Sequence, residues 1–198
     1  MKKVTYFLKS FPVLSQTFVI DQINNLIESG CDVRIISVFP EKIDSKLKGS
    51  VDKFNLLEKT EYVCEKQSYF GKVCFLLLAF FTCLKRFRNS RSVLNLFKHL
   101  ALSRDFKNAI NIVRIHHHLI YKSQIPQEFR MGTFIAHFGQ FGVMTQALID
   151  SKILSGKLLT VFHGYEMSEH EQIKIWKTRY VGLCKGNNQL LPISDFWK

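Results

Sequence analysis

Short apolar runs that stop at a turn signal alternate along this chain with longer stretches whose apolar residues recur every three or four positions. Val4 to Leu8 (VTYFL) is apolar and β-favouring, and SFPVLS (Ser10 to Ser15) interrupts it with a proline before Phe18 to Ile27 takes up helical spacing. Gly30 then stands where a left-handed helix terminator is wanted, and VRIISVF (Val33 to Phe39) follows as a second strand ended by Pro40. Strand, helix and strand in this order predict a βαβ unit, and such units build parallel sheets.

The next stretch, Glu41 to Lys59, is charged and weakly periodic, and predicts a mobile surface segment leading to a third strand near Glu61 to Cys64. Residues 70–121 carry helical spacing, with breaks expected at Asn89-Ser90 and Ser103-Arg104. Alternation then resumes. Thr133 to His137, Leu158 to Phe162 and Gln189 to Ile193 predict strands, separated by helices over Phe141 to Asp150 and Glu169 to Tyr180. Ser194-Asp195 predicts the cap of a further helix that the chain does not complete. The sum is an α/β fold with a Rossmann-like, doubly wound parallel sheet.

With 198 residues, 46% of them hydrophobic, the chain is expected to bury one core and form one domain. Lys and Arg outnumber Asp and Glu by 28 to 16, a field that attracts an anionic partner: a lipid headgroup layer, a diphosphate or nucleic acid. Five scattered cysteines without a CxxC pair argue against a disulfide framework and against a zinc cage, and read as reduced cytosolic thiols. The apolar run after Lys2-Lys3 is too short for a signal peptide. The longest apolar stretch, Val73 to Leu84, has twelve residues, where a membrane-spanning helix needs about twenty.

In doubly wound sheets ligands sit beyond the carboxyl ends of the strands. Three loops fall there. In SFPVLSQTF, Ser15, Gln16 and Thr17 open the first helix, whose unpaired N–H groups suit a phosphate or a sugar hydroxyl; Ser15 can equally cap the helix, and both roles are compatible. In HFGQFG, Gly139 and Gly142 permit close backbone approach, while His137 points either into the core or toward the cleft. In FHGYEMS, His163 follows a strand directly and precedes Gly164, with Tyr165 and Glu166 opening the next helix. His163 and Glu166 alone make a poor metal site, for want of a third ligand. His116, His117 and His118 diverge by about 100° each on a helix, which prevents them from sharing one ion; they predict a partly solvated surface, with His118 able to contribute to a packed face.

Between Lys85 and Arg114 stand eight Lys or Arg against the single acid Asp105. Beside the phenylalanines of the preceding run, Phe80, Phe81, Lys85, Arg86, Arg88 and Arg91 suggest an interfacial membrane-docking surface; the alternative is a buried apolar helix with a solvated charged face. Nucleic acid is disfavoured, because the apolar residues are aliphatic-rich rather than exposed stacking platforms.

These loops also carry a family resemblance. SFPVLSQTFVIDQINNLIESGCDV resembles the FPxLSETFI segment, helix and G-H-x-V of family 4 glycosyltransferases of the colanic acid and exopolysaccharide biosynthesis type. AHFGQFG and TVFHGYEMS resemble their HAHFG and HG-aromatic-D segments, and LPISDFWK the approach to their interdomain crossing. The resemblance spans most of the chain except residues 41–130. It implies the amino-terminal, acceptor-side half of a GT-B fold, with residues 70–121 as a helical basic insertion and the carboxyl-terminal donor domain absent.

It further implies retaining transfer from a nucleotide-sugar, a co-substrate rather than a bound cofactor, to a lipid-linked oligosaccharide at the anionic inner face of the cell membrane. The enzyme would be cytoplasmic and peripheral, with no nucleic-acid partner and with a donor domain supplied separately if the chain is a split subunit. On this reading His163 is the catalytic histidine, and Ser15, Gln16, Thr17, His137, Phe138, Gly139, Gly164, Tyr165 and Glu166 line the substrate cleft. Gln16 replaces the usual glutamate and Glu166 the usual aspartate. A non-catalytic module that binds membrane or glycolipid is the alternative.

Overall fold

A computed structural model of the chain describes residues 1–64, 91–185 and 188–192. The apolar run Val73 to Leu84, the proposed docking residues Phe80, Phe81, Lys85, Arg86 and Arg88, and the helix start at Ser194-Asp195 lie outside the described residues.

Among the described residues, six parallel strands form one sheet in the order β3-β2-β1-β4-β5-β6. They are β1 (Lys3–Phe11), β2 (Asp32–Pro40), β3 (Thr60–Tyr62), β4 (Thr133–His137), β5 (Lys157–Phe162) and β6 (Gln189–Pro192). Around them lie α1 (Thr17–Glu28), α2 (Lys48–Asp52), α3 (Arg91–Leu102), α4 (Phe106–Tyr121), α5 (Gly139–Asp150), α6 (Gly164–Ser168) and α7 (His170–Lys185). The predicted Rossmann-like α/β class is the observed one.

Both faces of the sheet are covered, which is why its central strands read as nearly continuous apolar runs. Side chains alternate between two cores. Val4, Tyr6, Leu8, Val33, Ile35 and Ile135 pack with Val19, Ile20 and Ile23 of α1. Phe7, Ile36, Val38, Phe134, Ala136, Leu158 and Phe162 face the other way, onto residues of α3, α4, α5 and α7.

Three local expectations are corrected. Residues 41–59 are packed, not peripheral: Leu47, Val51 and Leu56 are buried in the α1-side core, and Asn24 Nδ2 donates to the Ser50 carbonyl at 2.9 Å. Their apolar positions are too sparse to register as periodicity, yet each fills that core. His116, His117 and His118 are all buried. Helix α4 packs against α3 and α5, and β3 adds a further side, where His118 Nε2 meets Glu61 Oε1 at 3.0 Å. Finally, the segment after β5 is two helices rather than one, with a break at Glu169, whose backbone is extended.

Asp105, the lone acid of the basic segment, serves structure. It caps α4 through the Asn108 amide and accepts a hydrogen bond from the indole of the buried Trp176 at 3.2 Å. Among the described residues no helix is long and apolar enough to cross a membrane.

Candidate functional site

The sheet order reverses between β1 and β4, and in such folds the crevice beyond the strand ends at this point is the binding position. The loop after β1, the end of β4 and the end of β5 all arrive there. Phe11-Pro12 is a cis peptide, and a 3-10 turn over Leu14–Gln16 carries the chain into α1. Helix α1 starts at Thr17 with Gln16 as its N-cap residue and no side-chain cap. Ser15 therefore caps nothing; it and Thr17 are exposed beside a helix opening that no side chain caps.

His137 is the last residue of β4 and shares the parity of Ile135, so it projects to the α1 side. There it meets a chain of polar groups. Tyr6 Oη lies 3.0 Å and His137 Nε2 2.9 Å from Gln22 Oε1, and His137 Nδ1 lies 3.1 Å from His163 Nε2. Tyr6 is fully buried, and an acceptor at Gln22 Oε1 satisfies its hydroxyl. With Oε1 as acceptor, His137 must carry its proton on Nε2. Its Nδ1 is then a lone pair and takes the proton of His163 Nε2 as a hydrogen bond, leaving Nδ1 of His163 as that ring's basic nitrogen.

Burial, reinforced by the neighbouring His163, lowers the His137 pKa to about 3, so the ring is neutral at any physiological pH. Burial also depresses His163. The Tyr6 phenol is pushed up, chiefly by burial, and stays protonated.

Aromatic rings close around His163. Phe138 lies 4.5 Å, Phe18 5.0 Å and His137 5.4 Å from it, centroid to centroid. Phe138 adopts φ of 71°, a left-handed conformation that costs a non-glycine residue on the order of 1–3 kcal/mol. Hydrogen bonds hold it there: its amide donates to Val161 O at 2.9 Å, and its carbonyl accepts from Phe141 N and Gly142 N.

Glu166 is wholly buried, and its Oε1 accepts from the amides of His163 at 2.9 Å and Gly139 at 3.0 Å. Its carboxylate thus occupies the opening of α5, where a ligand anion would otherwise be favoured. Burial raises its pKa against the opposing pull of those backbone hydrogen bonds. Gly139 is required for close packing, since a Cβ there would lie 2.5 Å from Phe162 and 2.7 Å from Tyr180. Gly164 is half-buried and Tyr165 is exposed at the rim. No group of three His, Cys, Asp or Glu side chains able to hold a metal ion occurs among the described residues.

The structure thus joins His137, Phe138, Gly139, His163 and Glu166 directly, with Ser15, Gln16 and Thr17 on the loop leading to Phe18. Reading the sequence missed Tyr6, Phe18 and Gln22. The available signal was spacing: Phe18 and Gln22 are four apart on α1, and such pairs share one helix face.

A parallel sheet in this order, with polar and aromatic side chains converging at its reversal, is the Rossmann-like α/β half expected of a GT-B fold. The proteins this chain is similar to are glycosyltransferases of colanic acid and amylovoran biosynthesis. It is 32% identical over 201 residues to WcaL of Escherichia coli strain K12, a protein assigned to colanic acid biosynthesis as a glycosyltransferase; 98% of this chain and 45% of that protein are covered. It is 31% identical over 196 residues to the amylovoran biosynthesis glycosyltransferase AmsK of Erwinia amylovora, covering 99% of this chain and 46% of that protein. The Salmonella typhimurium WcaL is 31% identical, with 98% and 45% covered. The resemblance noted at three loops therefore extends over nearly the whole chain, which spans less than half the length of these relatives. No family model matches the chain. No solved structure matches it significantly.

Proposed function

We propose that this chain is the acceptor-side half of an exopolysaccharide glycosyltransferase, which holds a sugar acceptor in the crevice above β1, β4 and β5 while a second domain grips the nucleotide-sugar donor. The observation that carries this reading is the Gln22–His137–His163 chain at the reversal of the sheet. It fixes the tautomer of His163 and holds its ring within an aromatic collar, an arrangement suited to placing a sugar hydroxyl. Ser15, Gln16, Thr17, Gly164 and Tyr165 supply the surrounding polar surface, and the Phe138, Gly139 and Glu166 framework fixes the backbone of the crevice.

Stabilising the leaving diphosphate falls to the second domain, which supplies the largest electrostatic contribution to the transition state. The 198-residue chain alone is therefore expected to transfer no sugar. Mixing it with the carboxyl-terminal half of one of its full-length relatives, and following labelled sugar onto lipid-linked oligosaccharide, tests both parts. Transfer by the chain alone would refute the division of labour, and full transfer with His163→Ala would refute the site.

The acceptor of this reading is lipid-linked, so the chain works at the anionic inner face of the membrane. The turn between α3 and α4 supports this. Leu102 is 86% exposed and Phe106 57% exposed, with the exposed cations Arg104 and Lys107 beside them. Apolar groups flanked by cations favour an anionic bilayer surface. The same turn would serve a non-catalytic glycolipid-binding module. Co-sedimentation with anionic vesicles should fall for Leu102→Ser/Phe106→Ser, and equal binding by that variant would reject the turn as the docking element.

A further inference from the structure

We infer that the groove between helix α4 and the edge strand β3 binds a phosphate-bearing anion, at a site separate from the histidine crevice. The groove has a volume of about 740 Å³ and is lined by Arg34, Lys59, Arg114 and Lys122, with Glu61 and His118 in its wall.

Alternation along β2 sends Val33 and Ile35 toward α1 and therefore Arg34 to the opposite face, beneath α4. Its guanidinium lies 5.6 Å from the centre of the Phe129 ring. Arg114 approaches the groove from α4 itself. Among the described residues, the Nε atoms of both arginines are buried with no hydrogen-bond partner and neither side chain forms an ion pair. Half-buried cations without carboxylates are costly, and an anion that enters between them relieves that cost.

The acids of the groove do not supply that anion. Glu61 spends both oxygens on its own surroundings: Oε1 takes His118 Nε2 at 3.0 Å and the Gln124 amide at 2.9 Å, and Oε2 takes the Ser123 hydroxyl at 2.9 Å. Glu58, also in the lining, is exposed to solvent. Arg34 and Arg114, neither of them in an ion pair among the described residues, bring +2 to the groove. A phosphomonoester, at about −2 near neutral pH, matches that balance, and a single carboxylate does not. Two guanidinium forks also suit the geometry of phosphate oxygens. Phe39 and Ile125 add apolar wall, so the phosphate is expected to carry an organic group. Its source is either a soluble phosphate ester or a phospholipid headgroup.

Calorimetry of the full chain with inorganic pyrophosphate addresses the soluble source. Co-sedimentation with phosphatidylcholine vesicles containing phosphatidic acid, in the Leu102→Ser/Phe106→Ser background, addresses the lipid source without the contribution of the turn between α3 and α4. Saturable binding of either probe is expected. It should weaken at least tenfold with Arg34→Gln/Arg114→Gln and stay within twofold with Lys2→Gln/Lys157→Gln, which removes the same charge elsewhere on the surface. Arg114→Lys, a milder change that keeps the charge but loses the fork, should weaken binding severalfold, and it decides the matter if the double variant does not fold. Binding of pyrophosphate assigns the soluble source, and binding of vesicles alone the headgroup. Failure of both probes, or equal weakening by the arginine and lysine variants, overturns the site. Neither measurement depends on sugar transfer, so a negative result here leaves the acceptor reading standing.

Discussion

Replacing His137 with glutamine should flatten the acid limb of this protein's stability. His137 has a pKa of about 3 in the folded chain, against about 6.5 for an unfolded histidine. The unfolded state therefore binds one more proton than the folded state between those two values, and stability falls as pH falls through that window. A difference of one proton is worth about 1.36 kcal/mol per pH unit, and since the unfolded ring is only half protonated at about 6.5, lowering the pH from there to about 5 removes roughly 1.6 kcal/mol through this residue alone. His163 and His117, both depressed chiefly by burial, act in the same direction, and Glu166, raised by burial, acts in the opposite one. The difference between wild type and variant isolates His137. Glutamine keeps a polar group toward Gln22 and removes the titration. Urea unfolding followed by circular dichroism across this range, analysed as wild type minus His137→Gln, should give that slope. Parallel slopes in the two proteins would refute the buried neutral histidine. So would an NMR titration in which the His137 ring protonates near its ordinary pKa.

Two further outcomes follow from the same neighbourhood. Glu166→Ala leaves the buried amide of Gly139 and the part-buried amide of His163 without an acceptor. At roughly 1–3 kcal/mol for each unsatisfied group, it should cost about 2–6 kcal/mol in chemical denaturation. Gly139→Ala drives a methyl into the rings of Phe162 and Tyr180 and should cost about 1–3 kcal/mol, read as a lower unfolding midpoint with little change in the denaturant slope.

Much of this molecule could be read from local pattern. Val33 to Phe39, Thr133 to His137 and Leu158 to Phe162 announce themselves as buried parallel strands because a sheet covered on both faces leaves no polar alternation. The three loops at the crevice follow from that order, because strand-to-helix turns in such sheets fall on one edge. Pattern could not show that residues 41–59 are packed, since Leu47, Val51 and Leu56 gain their burial from α1 and β2, far away in sequence. Nor could it show the burial of three consecutive histidines, which requires a helix enclosed on several sides.

The division is sharpest at His163. Its place at a strand end before Gly164 is a matter of sequence alone, since an apolar run followed by His-Gly determines where the chain turns. Its protonation state is not. That depends on Tyr6, Gln22 and His137, residues from β1, α1 and β4 that meet only because the sheet order sets β1 beside β4 with α1 packed across them. Glu166 divides the same way: its charge is local information, but its burial against the amide of Gly139 arises from the approach of β5 to the start of α5. Sequence determines which groups arrive at the edge of the sheet; the distances between them, and so their protons, are set by packing.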